Sequence, residues 1–546
     1  MTQPQPRDHL GTHIVENQPS PRRHVDLWAG DPVLQAVVTS AEGDTDVAAR
    51  AGATLGSDEL REAGREARRV KPELVAFDRA GRRLDEVRYH PAYHRLLSTA
   101  FELGYTALPW EGASGGSVTA GGHVTHAAIL YCLTQTEPGV CCPLTMTYAG
   151  VPALSANADL EAIWRPRLTS RHYDPSAAPI ADKESATLGM AMTEKQGGSD
   201  VRTNTTTAQR DGDVYRLNGH KWFCSAPMSD GFLTLAQTRG GLTCFLVPRW
   251  LDDERNGINV MRLKDKLGNQ ANASAEIEYV DALGWRLGDE GRGVATIIEM
   301  VHHTRLDCAV APAALMRASI DEAFWWAQHR QAFKRLLVDQ PLMQAVLADL
   351  VLDWEGAVGL AFRAAHACDQ DGLEERALAR LVVALAKFLN NKRCVRVTYE
   401  AMECLGGMGY VEDTPMPMLY REAPLNSIWE GSGNVICLDV LRTLVKEPLA
   451  GEMLGDELRS VAGVDRRYDE ALAAHESRWP GLPTEQEARW FTESLANLLT
   501  ASILLRFAPA PVADGYVATR LTGERGHVAG SVAGLDTSAL LARING

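Results

Sequence analysis

The hydrophobic pattern of this chain changes its period twice, and that change limits the folds open to it. Up to about residue 187, apolar residues recur at helical spacing, as they do over 96–108. Short β-rich runs follow, and Asp211-Gly212-Asp213 between two of them is a hairpin signal. From Val294 the helical pattern returns in long segments. One block of strands between two helical blocks predicts an α+β fold, because alternating βαβ units would mix the two patterns.

The same pattern divides the 546 residues into four predicted parts, since a chain of this length exceeds one hydrophobic core. They are an N-terminal arm with a mainly helical domain (1–185), a β domain (186–292), a helical bundle (293–447) and a C-terminal helical domain (448–546). Strands are expected at 205–210, 214–223, 232–238, 242–247, 258–263 and 275–280. Bundle helices are expected at 294–334, 341–368 and 373–405. Residues 1–30 are rich in proline and polar side chains, and we expect an arm or lid that lies on another surface.

Composition indicates an ordinary globular protein, with 45% hydrophobic and 23% charged residues. No apolar run is long enough to cross a bilayer, and the N-terminus lacks the apolar core of a secretory signal. Ten cysteines without C-x-x-C spacing indicate reduced thiols and a cytoplasmic location. His302-His303 lacks a carboxylate-rich spacing, so no metal site is expected. A formal charge of −15 argues against a protein devoted to nucleic acid.

The run MTEKQGGSDV, at 192–201, is a candidate ligand loop. Gly197 and Gly198 allow a close approach of the backbone, and such a loop can offer N–H groups to a phosphate. Taken alone, Gly-Gly-Ser-Asp is more typical of a hairpin corner. The run matches neither the dinucleotide fingerprint nor the P-loop pattern, so it gives no support to a Rossmann or NTPase fold.

A second candidate segment is NSIWEGSGN, at 426–434. Glu430 is an acid–base candidate, because a carboxylate in a dry pocket has a raised pKa, and Trp429 beside it would exclude water. The alternative is a glutamate that helps to cap a helix, with Ser432 and Asn434 as turn residues. Local spacing favours neither interpretation.

Taken together, MTEKQGGSDV, LKDKLGN and NSIWEGSGN resemble the acyl-CoA dehydrogenase flavoproteins, and within them the adaptive-response branch that is linked to DNA alkylation. The resemblance runs from about residue 15 to the end and is strongest over 185–445. It implies non-covalent FAD, bound between the β domain and the second helical bundle, and a homotetramer. It also implies that Thr304 stands where some branches carry the catalytic base. Glu430 is then the only match for that base, with Arg305 close to it.

The resemblance further implies a set of cofactor-binding residues. Those of the first loop and the following strand are Met192, Thr193, Gln196, Gly197, Gly198, Ser199, Asp200, Val201, Phe223, Cys224 and Ser225. Phe223 would pack on the flavin and Ser225 would face its N5, although the pattern alone favours Phe223 as a strand core residue. The second segment would add Ile428, Trp429, Gly431, Ser432, Gly433 and Asn434. A neighbouring subunit would contribute Arg330, Phe333, Gly406 and Gly407. Lys334 stands where the family usually has glycine, and Glu403 where many relatives have glutamine.

Two classes of function follow from the resemblance. The first in rank is a flavoprotein that associates with duplex DNA without sequence preference, protects it from or responds to alkylation damage, and has weak dehydrogenase activity. The alternative is a metabolic dehydrogenase of a short or branched acyl-CoA, with Glu430 as the base and FAD as the hydride acceptor. A third possibility is a protein that retains the cofactor without turnover.

The C-terminal charges weigh against strong DNA binding. Residues 450–546 hold nine arginines, no lysine and thirteen acidic residues, a net charge of −4. Because affinity for phosphates comes largely from lysine and arginine, we expect any binding to be weak and sensitive to salt. The candidate DNA-binding residues are Arg442, Lys446, Arg466, Arg467, Arg520 and Arg525.

Overall fold

The computed structural model describes residues 6–111, 119, 121–252 and 254–544, and it confirms the predicted α+β architecture. The N-terminal region is mainly helical. Its elements are α1 (Pro32–Ser40), α2 (Thr45–Leu55), α3 (Asp58–Arg69), β1 (Glu73–Phe77), β2 (Arg83–Arg88), α4 (Pro91–Leu103), α5 (Gly122–Thr136), α6 (Cys141–Gly150) and α7 (Ala158–Leu168). Helices α5 and α6 are buried along nearly their whole surface and carry no charged side chain.

A single sheet follows, built from β3 (Leu188–Ala191), β4 (Thr207–Asp211), β5 (Val214–Ser225), β6 (Gly231–Thr238), β7 (Gly241–Pro248), β8 (Ile258–Leu263) and β9 (Ser274–Leu287). Strand β5 pairs antiparallel with β4 and β9, and β7 pairs antiparallel with β6 and β9. A parallel contact between β4 and β6 closes the ring. Strands β3 and β8 add to β6 and β9. One face of the ring encloses aromatic and aliphatic side chains, among them Tyr215, Phe245 and Ile277.

The second helical region contains α8 (Gly293–His329), the two-residue strands β10 (Gln331–Ala332) and β11 (Arg335–Leu336), α9 (Pro341–Cys368), α10 (Leu373–Cys404), α11 (Met416–Glu422) and α12 (Gly433–Lys446). The tail adds α13 (Pro448–Arg459), α14 (Arg466–Arg478), α15 (Ala488–Phe507), α16 (Ala510–Tyr516) and α17 (Thr537–Leu541). These helices and the N-terminal ones share one hydrophobic core. No helix in the described part of the chain has the length and apolar character needed to span a bilayer. The cuts at 185, 292 and 447 fall between elements, and the four-part division remains a prediction.

One local expectation was wrong, and one hairpin was not predicted. The predicted helix over 294–334 ends at His329, and a tight hairpin of β10 and β11 follows it. In the region expected to be mainly helical, β1 and β2 form a hairpin. Their stability comes from a distant partner: Arg83 donates a hydrogen bond to the Val260 carbonyl at 3.1 Å, and Leu74 packs against the core of the sheet. Local periodicity contains no information about such a contact.

The N-terminal arm lies on α8 and the hairpin of its own chain. Asn17 donates to the Gln331 carbonyl and accepts from the Gln331 N–H, at 3.0 and 2.7 Å. Further along, the Trp325 indole donates to the Ser20 carbonyl, and Arg22 pairs with Asp321. The arm therefore fixes the position of the hairpin relative to α8.

The turn of that hairpin gives a stability prediction. Phe333 and Lys334 have φ of 52° and 64°, which side chains with a Cβ adopt at a cost. Because glycine carries no such cost, Lys334→Gly should raise the free energy of unfolding by about 1 kcal/mol. Urea denaturation measures this. Lys334→Ala keeps the Cβ and is the matched control, so equal stabilisation by both variants would refute the explanation.

Candidate functional site

The loop at 192–201 is fixed by a buried ion pair. Lys221 of β5 donates to Glu194 at 2.7 Å, and both side chains are 0% exposed. The Glu194 carboxylate also accepts the Thr205 and Thr206 backbone N–H groups at 2.7 and 3.2 Å. Burial alone would raise the pKa of Glu194, but the Lys221 charge and these hydrogen bonds lower it to about 2. Glu194 is therefore ionised and structural, a role that sequence reasoning missed.

The loop's exposed end carries unused hydrogen-bonding groups. Among the described residues, nothing accepts from the hydroxyls of Thr193 and Ser199 or from the N–H of Gly198. A Cβ on Gly198 would lie 2.9 Å from the Thr193 methyl, so a side chain would crowd this end. Gln196 is used differently, because its amide donates to Glu194 and to the Thr203 carbonyl, which holds the loop closed. The free donors suit an anionic group such as a phosphate.

Strand β5 turns an aromatic ring outward beside this loop. The Trp222 N–H donates to the Thr193 carbonyl at 2.8 Å, which joins the loop to the strand. The register with β9 shifts between Lys221 and Cys224, so one extra residue bulges there. Phe223 is consequently 46% exposed, and the expectation of a strand core residue was wrong.

The same bulge corrects a second expectation. Cys224 was predicted to bind the cofactor, but it is completely buried in the core of the sheet. Its side chain therefore cannot contact a ligand in the cleft. Ser225, the next residue, is partly exposed, and its hydroxyl lies 3.3 Å from that of Ser274.

Two lysines of the LKDKLGN run lie beside this exposed face, and sequence reasoning gave them no role. The Lys264 ammonium lies 3.2 Å from the centre of the Trp222 ring and 4.7 Å from that of Phe223. It also pairs with Glu276 at 2.7 Å. Lys266 donates to the Asn272 carbonyl at 2.6 Å and to the Ser274 hydroxyl at 3.1 Å. Because LKDKLGN is one of the three runs that carry the family resemblance, the run itself could have indicated that its lysines belong to the site.

Glu430 lies at the bend before α12 with φ of 56°, a conformation that is costly for a residue with a side chain. Three contacts hold it. The Thr304 hydroxyl of α8 donates to its carboxylate at 2.8 Å, and Arg305 donates to its backbone carbonyl at 3.0 Å. Lys387 of α10 donates to the next carbonyl, that of Gly431, at 2.7 Å. The carboxylate thus points to α8 and does not cap α12, whose N-cap is Ser432.

The electrostatics of Glu430 suit a base. Burial raises the pKa of Glu430 above its ordinary value, against the Thr304 hydrogen bond and the charges of Lys387 and Arg305. A carboxylate with a raised pKa is a better proton acceptor near neutral pH than an exposed one. Arg305 also pairs with Asp439 at 2.7 Å, which keeps its guanidinium in place.

Cys142 of α6 connects the two halves of the site. Burial raises the pKa of the Cys142 thiol to about 12, against the effects of Lys266 and Ser225. Met192 and Val201 of the loop and Trp429, beside Glu430, pack against one hydrophobic cluster, so the loop and the segment of the candidate base border the same part of the fold. Other residues of this cluster are Trp110, Met146, Met190 and Met300.

The remaining predicted cofactor residues lie in several places. Ile428, Ser432 and Asn434 are exposed, Gly433 is buried at the start of α12, and Asn434 accepts from Arg489 at 2.8 Å. Asp200 caps the short turn at 201–203 with its own carboxylate. Arg330 donates to the Asn17 carbonyl, Phe333 is 93% exposed, and Gly406 and Gly407 are exposed. Glu403 lies near Tyr399 and raises the pKa of its hydroxyl.

The predicted DNA-binding arginines need correction. Arg520 is only 3% exposed and pairs with Asp349 and Asp353. Arg525 also forms an ion pair with Asp349, at 2.8 Å. Neither is available to phosphates, because each neutralises a buried carboxylate. Arg467 is half-buried between Asp465 and Asp514, whereas Arg442, Lys446 and Arg466 are exposed.

Three family models match the chain. Residues 17–175 match the Adaptive response protein AidB N-terminal domain. Residues 189–282 match the Acyl-CoA dehydrogenase, middle domain, and residues 291–445 match the Acyl-CoA dehydrogenase, C-terminal domain. These matches confirm the resemblance inferred from the three sequence runs.

Individual relatives agree with the models. The acyl-CoA dehydrogenase-type protein AidB of Escherichia coli is 44% identical over 515 residues, which cover 93% of this chain and 94% of that protein. Acyl-CoA dehydrogenase family member 11 of Caenorhabditis elegans is 34% identical over 443 residues, 76% of this chain and 69% of that protein. The crystal structure of Caenorhabditis elegans ACDH-11 in complex with C11-CoA has a TM-score of 0.84 at 27% identity, and the match covers 95% and 94% of the two chains.

The ion pair under the loop can be tested by unfolding. Lys221→Met leaves the Glu194 carboxylate buried and unpaired, so the free energy of unfolding at neutral pH should fall by about 3–5 kcal/mol. The pKa of Glu194 is about 2 in the folded protein and near 4.5 in an unfolded chain. The ion pair therefore contributes its full stabilisation above pH 4.5, and this contribution is lost as the pH falls from 4.5 to about 2. The gap between variant and wild type should therefore narrow in acid.

Denaturant titrations at neutral and acid pH measure that gap. Lys195→Met removes an exposed lysine of the same loop and is the control, with an expected change within about 0.5 kcal/mol. A Lys221→Met variant as stable as this control would show that the pair does not hold the loop.

Proposed function

The chain belongs to the acyl-CoA dehydrogenase family of FAD-dependent oxidoreductases, and from that premise we propose that it oxidises an acyl-CoA thioester with Glu430 as the base. The observation that supports this most is the Glu430 carboxylate, whose pKa is raised by burial and which accepts a hydrogen bond from Thr304. Fold likeness alone would not assign the chemistry, and this geometry supports the proposal independently.

The residues present fit FAD. An exposed ring at Phe223 offers a surface for a flat heterocycle, and the free donors of the 192–201 loop suit a diphosphate. Thr193, Ser199 and Ser225 would hold the cofactor by their hydroxyls. When bound, FAD supplies the two-electron acceptor for the hydride that leaves the β carbon of the substrate.

The chain's own residues supply the proton chemistry. The Glu430 carboxylate takes the proton from the α carbon of the thioester, and the apolar wall around Trp429 excludes water that would stabilise the ionised base. Thr304 holds the orientation of the Glu430 carboxylate through a hydrogen bond to its side chain. Arg305 holds the backbone of Glu430 through a hydrogen bond to its carbonyl. The C11-CoA bound by the worm ACDH-11 supports an acyl-CoA as the substrate here.

We also propose a homotetramer. Phe333 is 93% exposed on a hairpin held by the N-terminal arm, and an isolated subunit would leave this large apolar ring in water. Arg330, Gly406 and Gly407 are on the surface as well, where they could complete the cofactor site of a neighbour.

Glu430→Gln tests the proposed base. It keeps the shape of the side chain but cannot accept the proton, so the rate at which an acyl-CoA bleaches the flavin should fall by about 10²–10⁴-fold. Stopped-flow absorbance measures the rate on FAD-loaded protein. Glu412→Gln, a change at an exposed glutamate that pairs with Arg421, is the control. Equal bleaching by Glu430→Gln and wild type would show that the base is another residue.

Thr304 provides a second readout for the same prediction. The Thr304 hydroxyl lowers the pKa of Glu430, so Thr304→Val should raise that pKa further. A base works when deprotonated, so the acid limb of the pH–rate profile should move to higher pH. Thr304→Ser keeps the hydroxyl and should leave the limb in place. If Thr304→Val and Thr304→Ser moved the acid limb equally, the result would contradict the assignment of Glu430 as the base.

A second candidate function is association with duplex DNA and protection against, or response to, alkylation. The supporting observations are the match to the adaptive-response N-terminal domain and the 44% identity with AidB. The exposed cations Arg442, Lys446 and Arg466 lie along α12 and α14 of the C-terminal region. They are few, so binding should be weak and should come from backbone phosphates.

Neutralising these three cations tests the DNA surface. Arg442→Ala, Lys446→Ala and Arg466→Ala together should weaken duplex binding and reduce the slope of log K against log salt by about 2–3. Fluorescence anisotropy at several salt concentrations gives the slope. Arg216→Ala removes an exposed charge from the β domain and is the control. An absence of wild-type binding at low salt would reject the second function.

A further inference from the structure

Lys266 lies at the start of a chain of hydroxyls that ends in the proposed cofactor cleft. Its ammonium donates to Ser274 at 3.1 Å, and the Ser274 hydroxyl lies 3.3 Å from that of Ser225. Ser225 is partly exposed, and it is the serine that we expect to face the flavin. Two hydroxyls therefore lead from a cation to the proposed cofactor face.

The ammonium fixes the direction of this chain. A protonated lysine can only donate, so the Ser274 oxygen must accept from it and the Ser274 hydrogen is free to point to Ser225. Ser225 then accepts from Ser274, and its own hydrogen points onward, to the Cys142 thiol or into the cleft. Without the charge on Lys266, either direction of donation between the two serines is possible.

A purely structural role leaves one feature of Lys266 unexplained. Its three donors reach a carbonyl and a hydroxyl, and among the described residues no carboxylate lies within ion-pair distance of the ammonium. Glu422, the carboxylate whose charge acts on it, is itself buried, and burial raises the pKa of Glu422 to about 7. The pKa of Lys266 falls to about 8 because burial disfavours its charge. A neutral hydrogen-bond donor would hold the turn at Asn272 without the cost of burying a charge. We therefore infer that the positive charge of Lys266 has a function of its own.

We propose that Lys266 is a positioning residue that, through Ser274 and Ser225, makes bound FAD easier to reduce. The proposal rests on the function proposed above, since it requires FAD beside Ser225. A positive charge that is not already neutralised favours the state of the site with more electrons, and the serine chain carries this preference to the cleft. The transferred electrons still come from the substrate, and Lys266 changes only the equilibrium.

The reduction equilibrium of bound FAD tests the proposal without turnover. Lys266→Met removes the charge and keeps an apolar stem, and the ratio of reduced to oxidised FAD at a fixed reference potential should fall at least tenfold, about 30 mV for two electrons. Equilibration with a reference dye under anaerobic reduction measures it. Lys266→Arg keeps the charge and should restore most of the loss. Lys71→Met is the matched control, because this exposed lysine pairs with Asp265, the residue beside Lys266.

Ser274→Ala tests the route and leaves Lys266 in place. It should lower the ratio at least threefold, and adding Lys266→Met to it should have less effect than Lys266→Met alone. It also keeps the proposal testable if Lys266→Met does not fold. A Lys266→Met ratio within twofold of wild type would overturn the proposal, and so would a lysine effect that Ser274→Ala leaves undiminished. Wild-type protein that binds no FAD would instead refute the proposed function.

Discussion

The buried pair of Glu194 and Lys221 is the interaction on which the candidate site depends. It places one charge in the 192–201 loop and the other in strand β5, with both removed from water. Separating them would leave a carboxylate or an ammonium unpaired in the interior, so the loop cannot leave the strand without a large cost. The Trp222 N–H to Thr193 bond then sets the register of the loop. The loop donors and the outward face of β5 are held together for this reason.

The sequence predicted the order of helices and strands and the loop that carries the glycines, because each is a property of a local run. It could not predict the bulge between Lys221 and Cys224. Simple alternation would turn Phe223 inward and Cys224 outward, and the bulge reverses both. Only the family resemblance pointed to Phe223, and it also carried the error at Cys224. Local spacing also left open whether Glu430 is an acid–base residue or caps a helix. The contact that answers this is with the Thr304 hydroxyl, 126 positions away in the sequence.

The net charge of the C-terminal region is also a limited predictor of which residues can bind DNA. A net charge of −4 over 450–546 indicated weak DNA binding, but it could not tell which arginines are free. The structure places Arg520 and Arg525 on Asp349 and Asp353 of α9, where they anchor the tail to the bundle. These ion pairs explain why a region with an acidic balance retains many arginines. Their removal from the surface makes any DNA contact depend on the few cations along α12 and α14.

Two lysines carry positive charge into the candidate site, although the whole chain has a charge of −15. Lys266 and Lys387 both donate to carbonyl or hydroxyl oxygens, and within the described ranges neither has a carboxylate at ion-pair distance. The charge of Lys387 acts on Glu430, and that of Lys266 acts on Cys142 and Glu422. Glu430 is the acid placed there, and burial keeps its pKa raised in spite of these cations. A carboxylate with a raised pKa and two lysines without a carboxylate partner are what the proposed reaction would require, in which a proton moves to Glu430 and negative charge develops beside it.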